Sequence, residues 1–392
     1  MKVLSLGGGK WQLGLLDTLH RLGLESAVID INPECPGRYA AGEFVQGDTS
    51  NPQTVMHAVQ SLGAGLVIAE QSDRFVRVAA SVNQALKLPG LLPEIAERFT
   101  DKSRMRQILR GKVPMPDFRE VGDLQTALDF GAQVGFPLVI KPKSAQSSYG
   151  VFKVDTPREL EERFTDSMAF SKDGNLLIEA FVDGIEVTVE GLSIDGQFHV
   201  LAISEKEHYS FNPCVAKRLS YPPDSFDATT LTRIKDTATT VVCTLGLDIG
   251  LSHAEYRIKD GIPYLVEVAA RGGGTQIAAK ILPHVCQFSP YELLVRRLSG
   301  EPVSVPAPAG KAAVLMFLEF DPGVVKRIHG LDALQADGVA AEISLTFQEG
   351  SEIIRPEDDT QRLGYALVLG EDRADVDARC RRIRQTIKVE YL

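Results

Sequence analysis

The chain has 392 residues, room for two or three domains of ~150 residues each, and its 44% apolar and 24% charged residues are globular proportions that exclude wholesale disorder. Lys and Arg number 42 against 52 Asp and Glu, a net charge of -10, which argues against nucleic acid or an anionic membrane as main partner because both reward clustered cations. The five cysteines (Cys35, Cys214, Cys243, Cys286, Cys380) are scattered, odd in number and never spaced as CxxC, so reduced thiols in the cytoplasm are expected. The opening MKVLSLGGGKWQLG breaks into glycines where a signal peptide would stay apolar, and no window reaches the ~18 apolar residues of a spanning helix.

In chain order, Val3 to Leu6, a helix from about Gln12, Ala27 to Ile31, and Leu66 to Ala69 before another helix alternate as strand and helix, the order of a parallel sheet. A charged helix after Leu91 and the prolines Pro114 and Pro116 mark the start of a new unit, with a boundary near 100. The middle section carries hairpin turns at Asp195-Gly196 and Asp260-Gly261, which predict antiparallel sheet and an α+β unit. EPVSVPAPAG after Gly300 reads as an extended linker into a third, smaller α+β domain over 311 to 392.

Four segments carry chemistry. Gly7-Gly8-Gly9 between strand and helix, with Asp30 following, approaches a dinucleotide fingerprint but has Gln12 where its third glycine belongs; a ligand-facing or structural turn is the stronger reading. PLVIKPKSAQSSYGVFKV places Lys141 at a strand end beside a Ser-rich loop and Gly150, suited to polyphosphate, although a plain hairpin with an exposed lysine reads as well. NLLIEAFVDGIEVTVEGL is a strand, turn and strand that could offer backbone groups to a purine and Glu186 to a ribose.

The fourth, HAEYRIKDGIPYLVEVAARGGG, fixes its own register. If Ala254, Tyr256 and Ile258 share a face with Tyr264, Val266 and Val268, a three-residue loop at 260 to 262 sets Glu255 opposite Glu267. Two carboxylates ~5 Å apart repel by about 3 kcal/mol at an effective dielectric of ~20. A shared hard cation would resolve this, and magnesium, with manganese as alternative, suits oxygen ligands. The bland reading is two solvated carboxylates near Arg257 and Lys259.

Together these residues resemble the ATP-grasp superfamily of ATP-dependent ligases. The resemblance implies an ATP-grasp fold preceded by a Rossmann-like parallel-sheet domain (1 to 100), the ATP-grasp domain itself (101 to 300, lid about 115 to 184) and a C-terminal α+β domain (301 to 392). That last domain, through Pro322-Gly323, Gly330, Asp337-Gly338-Val339 and Arg362-Leu363-Gly364, is similar to that of bacterial L-amino-acid ligases. By the same resemblance Lys102 and Lys141 are ATP-phosphate lysines, with Lys141 also catalytic, and Ser147, Ser148 and Gly150 form the phosphate-covering loop. Glu179, Ala180, Phe181 and Val182 hold adenine, Glu186 binds the ribose, Glu255 and Glu267 bind magnesium, and Arg271 contacts the reacting phosphoryl group. Ala269 stands where the family often has a metal-ligating Asn, and His253, facing it, or a water is expected to substitute.

The activity so implied joins a carboxylate, such as an amino acid, to an amine through an acyl phosphate, releasing ADP and phosphate. Lys206, His208, Lys217, Arg218, His253 and Gly273 are candidates for substrate contacts, against the plain reading of a solvated charged loop. The partners expected are small molecules, with a homodimer compatible and neither nucleic acid nor membrane involved. The alternatives are a purine- or carbamoyl-type ATP-grasp ligase or carboxylase, an NAD-dependent oxidoreductase, and a nucleotide-sensing protein without activity.

Overall fold

The computed structural model describes residues 1–143 and 148–392. Its first sheet is parallel: β1 (Lys2–Leu6), β2 (Glu25–Asp30), β3 (Glu43–Gln46) and β4 (Leu66–Ala69) lie in the order β3-β2-β1-β4. Leu4, Leu6, Ala27, Ile29 and Val67 are buried on one face against the helices Pro52–Leu62 and Asp73–Leu86. The other face packs Val3, Val28 and Ile68 against the helix Leu13–Arg21. Burial on both faces is what these near-continuous apolar strands require.

A second sheet holds β5 (Phe118–Val121), β6 (Leu138–Pro142), β7 (Phe152–Val154) and β8 (Leu176–Ala180) in the order β5-β8-β6-β7, all antiparallel. The expected lid lies here, and two helices, Leu124–Val134 and Pro157–Met168, bury its apolar face.

The remaining strands are β9 (Ile185–Ile194), β10 (Gln197–Tyr209), β11 (Asn212–Tyr221), β12 (Gly250–Lys259), β13 (Ile262–Ala269), β14 (Ala312–Phe317), β15 (Gly323–His329), β16 (Glu342–Leu345), β17 (Glu352–Ile353), β18 (Gly364–Gly370) and β19 (Lys388–Tyr391). Eight of them make one sheet, β13-β12-β9-β10-β11-β14-β18-β16, while β17-β15-β19 form a small separate one. Residues 301–310 have no regular structure, in keeping with a linker. The large sheet nevertheless crosses that linker, because β11 pairs with β14 from Arg218↔Met316 to Tyr221↔Ala313. The chain after residue 311 therefore extends the central sheet and completes its core.

Both predicted hairpins are present. Asp195 and Gly196 have φ of 53° and 77°, and Asp260 and Gly261 have 51° and 69°, the paired positive values of a two-residue turn that matches strand twist. The second turn corrects the expected three-residue loop. From Lys259↔Ile262 to Tyr256↔Leu265 the partners run one residue out of the expected register. A β-bulge between Leu265 and Glu267 then absorbs Val266, so that Glu255 does face Glu267 and His253 faces Ala269. The buried face of β13 is accordingly Pro263, Leu265 and Val268, whereas Tyr264 and Val266, expected among them, are only partly buried and line the cavity described below.

Candidate active site

One cavity of about 700 Å³ lies where the parallel sheet's domain, the second sheet and the eight-stranded sheet meet. Lys141 enters from β6, the segment Glu179 to Val182 from the end of β8, Glu186 from the start of β9, Glu255 from β12, and Glu267 from β13, joined by Lys102 and Lys206. These are positions singled out in the sequence, and chain folding brings them to one wall. Ser148 lies there too, its hydroxyl donating to the Cys214 carbonyl at 3.0 Å. Ser147 lies outside the described residues. Gly150 stands beside the cavity wall, with φ of 66° and Phe170 against it.

Every carboxylate on this wall is matched by cations. Glu179 is 3% exposed and accepts from Arg106 at 2.6 Å and from Lys141. Burial works to raise its pKa, but the two cations outweigh burial and hold it at about 2. Glu186 accepts from Lys206 at 2.7 Å and lies 2.9 Å from Arg257 and 3.2 Å from His208. Burial again opposes ionisation, and Lys206 and His208 bring its pKa down to about 2. Glu255 pairs with Lys206 at 2.7 Å, and Glu267 with Lys102 at 3.0 Å. The repulsion expected between the two facing carboxylates is thus offset by two ammoniums, where the sequence argument called on a metal alone.

His253 sits behind this pair. Its Nδ1 is 2.8 Å from Glu190 Oε1, and its Nε2 is 3.6 Å from Glu255 Oε1. Burial would lower its pKa, but Glu190 and then Glu255 raise it to about 9. Glu190 thus engages Nδ1 and leaves Nε2 on the side of Glu255 and the cavity. Glu190 is fully buried, and its Oε2 finds no hydrogen-bond partner among the described residues.

The remaining substrate candidates divide. Lys206 and His253 line the cavity, whereas His208, Lys217, Arg218 and Gly273 do not. His208 supports Glu186, Lys217 pairs with Glu319, and Arg218 bonds Asp377 in the C-terminal helix Arg373–Thr386. Gly273 packs against His253, where a Cβ would come within 2.9 Å of its Nδ1.

Residues 134–279 match the ATP-grasp domain family, and residues 316–392 match the L-amino acid ligase C-terminal domain 2 family. The chain thus contains an ATP-grasp domain. It is 26% identical over 398 residues to the formate-dependent phosphoribosylglycinamide formyltransferase of Leptothrix cholodnii, an alignment covering 96% of this chain and 92% of that protein. Its fold is that of the L-amino acid ligase from Bacillus licheniformis, with a TM-score of 0.83, 23% identity, and coverage of 100% of this chain and 98% of the other. It also matches N5-carboxyaminoimidazole synthetase from Staphylococcus aureus complexed with ADP, with a TM-score of 0.76, 16% identity, and coverage of 97% and 96%.

These comparisons favour an ATP-grasp carboxylate-amine ligase over the oxidoreductase alternative, and the glycine turn agrees. The Asp30 carboxylate accepts from the Gly8 amide at 2.8 Å, which ties it to the turn instead of leaving it for a ribose. A Cβ on Gly8 would come within 2.7 Å of Cys35 Sγ and of Val28, so this glycine is needed for packing. No helix among the described residues is long and apolar enough to cross a membrane.

The other wall of the ATP-grasp cavity was less legible. It is built by Lys10, Trp11 and Gln71 from the first domain, Arg271, Gly274 and Thr275 after β13, and Ser344, Thr346, Asp359, Arg362 and Tyr365 from the C-terminal part. Arg271 donates to Asp73 at 2.6 Å, and the Gly272 amide donates to Glu70 at 2.9 Å, lacing the glycine-rich segment to the first domain. Glu70 is 3% exposed; burial raises its pKa to about 7 against the lowering effect of the Gly272 amide and Arg271. No local motif marks Glu70, Trp11 or Tyr365, because they meet only in the folded chain.

Proposed function

We propose that the protein joins an amino acid, activated at its carboxylate by ATP, to an amine, with ADP and phosphate as products. The observation that carries this reading is the single cavity, in which a wall of phosphate-suited lysines and paired carboxylates faces a wall contributed by the segment similar to an L-amino acid ligase C-terminal domain. A carboxylate has no leaving group. One of its oxygens attacks the γ-phosphorus, ADP departs, and the resulting acyl phosphate is attacked at carbon by the amine lone pair, expelling phosphate and releasing a proton.

In this reading Lys102 and Lys141 hold the phosphates, the backbone from Glu179 to Val182 meets the base, and Arg271 meets the transferring group. Glu255 and Glu267, hard oxygen donors facing one another on the cavity wall, fit a magnesium ion whose shell is completed by phosphate oxygens and water. Among the described residues no cluster of three His, Cys, Asp or Glu side chains could hold a metal, so any cation here leans on the nucleotide. When bound, the ion would neutralise charge on the phosphates. An acyl phosphate reached by water would hydrolyse, so the reaction requires that the amine reach it first.

The full-length resemblance to formate-dependent phosphoribosylglycinamide formyltransferases favours a second reading, with formate as the acid and a ribonucleotide amine. Incubation with ATP, magnesium and pairs of amino acids, with formate plus phosphoribosylglycinamide as a parallel arm, separates the two when ADP and the amide product are measured together. Product only in the parallel arm would overturn the amino-acid reading. Absence of acid-dependent ADP in every arm would overturn both.

A further inference from the structure

A second cavity, of about 260 Å³, lies between the turn that joins β10 to β11 and the chain beyond β14. It shares no lining residue with the active cavity, yet the two stand back to back: Arg362 and Gly364 line the active cavity, and Leu363, between them, lines the second. Its volume falls below the ~300–1,000 Å³ of pockets that take drug-sized ligands, so its occupant is of amino-acid size rather than nucleotide size.

Two opposite charges line this cavity without an ion-pair partner. Arg355 makes no ion pair among the described residues, and its guanidinium stands 5.3 Å from the Phe211 ring centre, a cation-π contact that restrains it. Asp321 makes no ion pair among the described residues either, so the two do not neutralise each other. Glu319, the other acid of the lining, is already paired with Lys217. Tyr209, whose ring stacks on Phe211 with centres 5.0 Å apart, is 2% exposed, and its hydroxyl has no hydrogen-bond partner among the described residues. The lining thus offers one uncompensated cation and one uncompensated anion beside the apolar Leu318, Phe320 and Leu363.

We propose that this second cavity binds a small α-amino acid, its carboxylate on Arg355 and its ammonium on Asp321. A molecule carrying both charges satisfies both side chains at once, whereas a simple anion would be repelled by Asp321 and Glu319, and a simple amine by Arg355. The site is separate from the reacting groups, and it does not depend on the ligase reading. The test is calorimetric titration of glycine, L-alanine and L-leucine into the full chain, with parent, Arg355→Ala and Asp321→Asn compared. Each amino acid is set against its carboxamide and against the acid that lacks the amine. Both positions are exposed and outside the active cavity, so the variants should melt with the parent.

At least one amino acid should occupy a site in the parent that each variant weakens about 10- to 100-fold, the loss expected of one charge-assisted contact. At that site the carboxamide and the acid without the amine should each bind more weakly than the amino acid by a similar factor. Binding that is the same in parent and both variants would overturn the proposal, since it would place the amino acid in the active cavity alone, and so would absence of binding by all three. An acid without the amine bound as tightly as the amino acid at the Arg355-dependent site would overturn it in favour of a plain anion site. Failure of the ligase reading would show separately, as absence of acid-dependent ADP formation, and would leave Arg355-dependent binding intact.

Discussion

Lys141 shows how a residue proposed to bind phosphate is also a structural one. It shares the buried Glu179 with Arg106, so in the proposed reading its removal touches both the phosphate site and the carboxylate beneath it. Lys141→Met is expected to raise the KM for ATP by about 10- to 100-fold, slow turnover, and lower the melting temperature, because Glu179 keeps one cation of two. Steady-state kinetics with thermal melts check this, and an unchanged ATP KM in a folded variant would remove Lys141 from the phosphate site. Glu70 gives a pH signature. Its folded pKa of about 7 lies above the ordinary 4.5, so between those values the unfolded chain releases a proton that the native chain retains. Stability therefore falls as pH rises through that window, by about 3 kcal/mol in all. Glu70→Gln should be more stable than the parent at pH 8 and equal to it at pH 4.5, as measured by denaturant unfolding; a difference independent of pH would contradict it. Lys141, Glu255 and Glu267 were legible because a strand end and local alternation mark them, and Lys102 only through the family resemblance. Glu70 and Glu190 were not, since their meaning lies in burial and in partners 60 or more residues away.

At the scale of elements, the β12–β13 hairpin shows a correct pairing reached by an inexact route. Apolar alternation with a three-residue loop sets Glu255 opposite Glu267, whereas a two-residue turn and a bulge produce the same pair. Apolar alternation cannot register a bulge, because the extra residue breaks the period of two that the argument relies on. The bulged Val266 carbonyl accepts from Arg106 at 2.7 Å, which ties this strand to the Glu179 cluster. The junction between the β8 segment and β9 is similarly tight. A Cβ on Gly184 would overlap the backbone carbonyl oxygen of Ile258, so Gly184→Ala must push the segment carrying Phe181 and Val182 away from β12. We expect a raised KM for ATP and a loss of about 1–3 kcal/mol in stability; parent-like values in both assays would show that this junction yields without moving the site.

For the whole molecule, the sheet that crosses residue 300 decides what can be cut. Ending the chain before β14 would expose the edge of β11 and strip buried Leu219 and Tyr221 of their neighbours Leu315 and Ala313. A truncated chain of residues 1–305 should therefore aggregate or fail to bind ATP, and a soluble, ATP-binding fragment would contradict this account of the core. The order of a parallel-sheet domain followed by antiparallel units could be read from strand-helix alternation and turn residues. Fusion of the C-terminal strands into the central sheet could not, because strand pairing across about 90 residues leaves no local periodicity. The account's central claim is that a carboxylate oxygen is transferred to phosphate through an acyl phosphate. The most direct measurement uses an acid substrate labelled with oxygen-18 in its carboxylate, with the released phosphate analysed by mass spectrometry. The account predicts one labelled oxygen in the phosphate for each amide formed, together with ADP; unlabelled phosphate, or AMP with pyrophosphate, would contradict it.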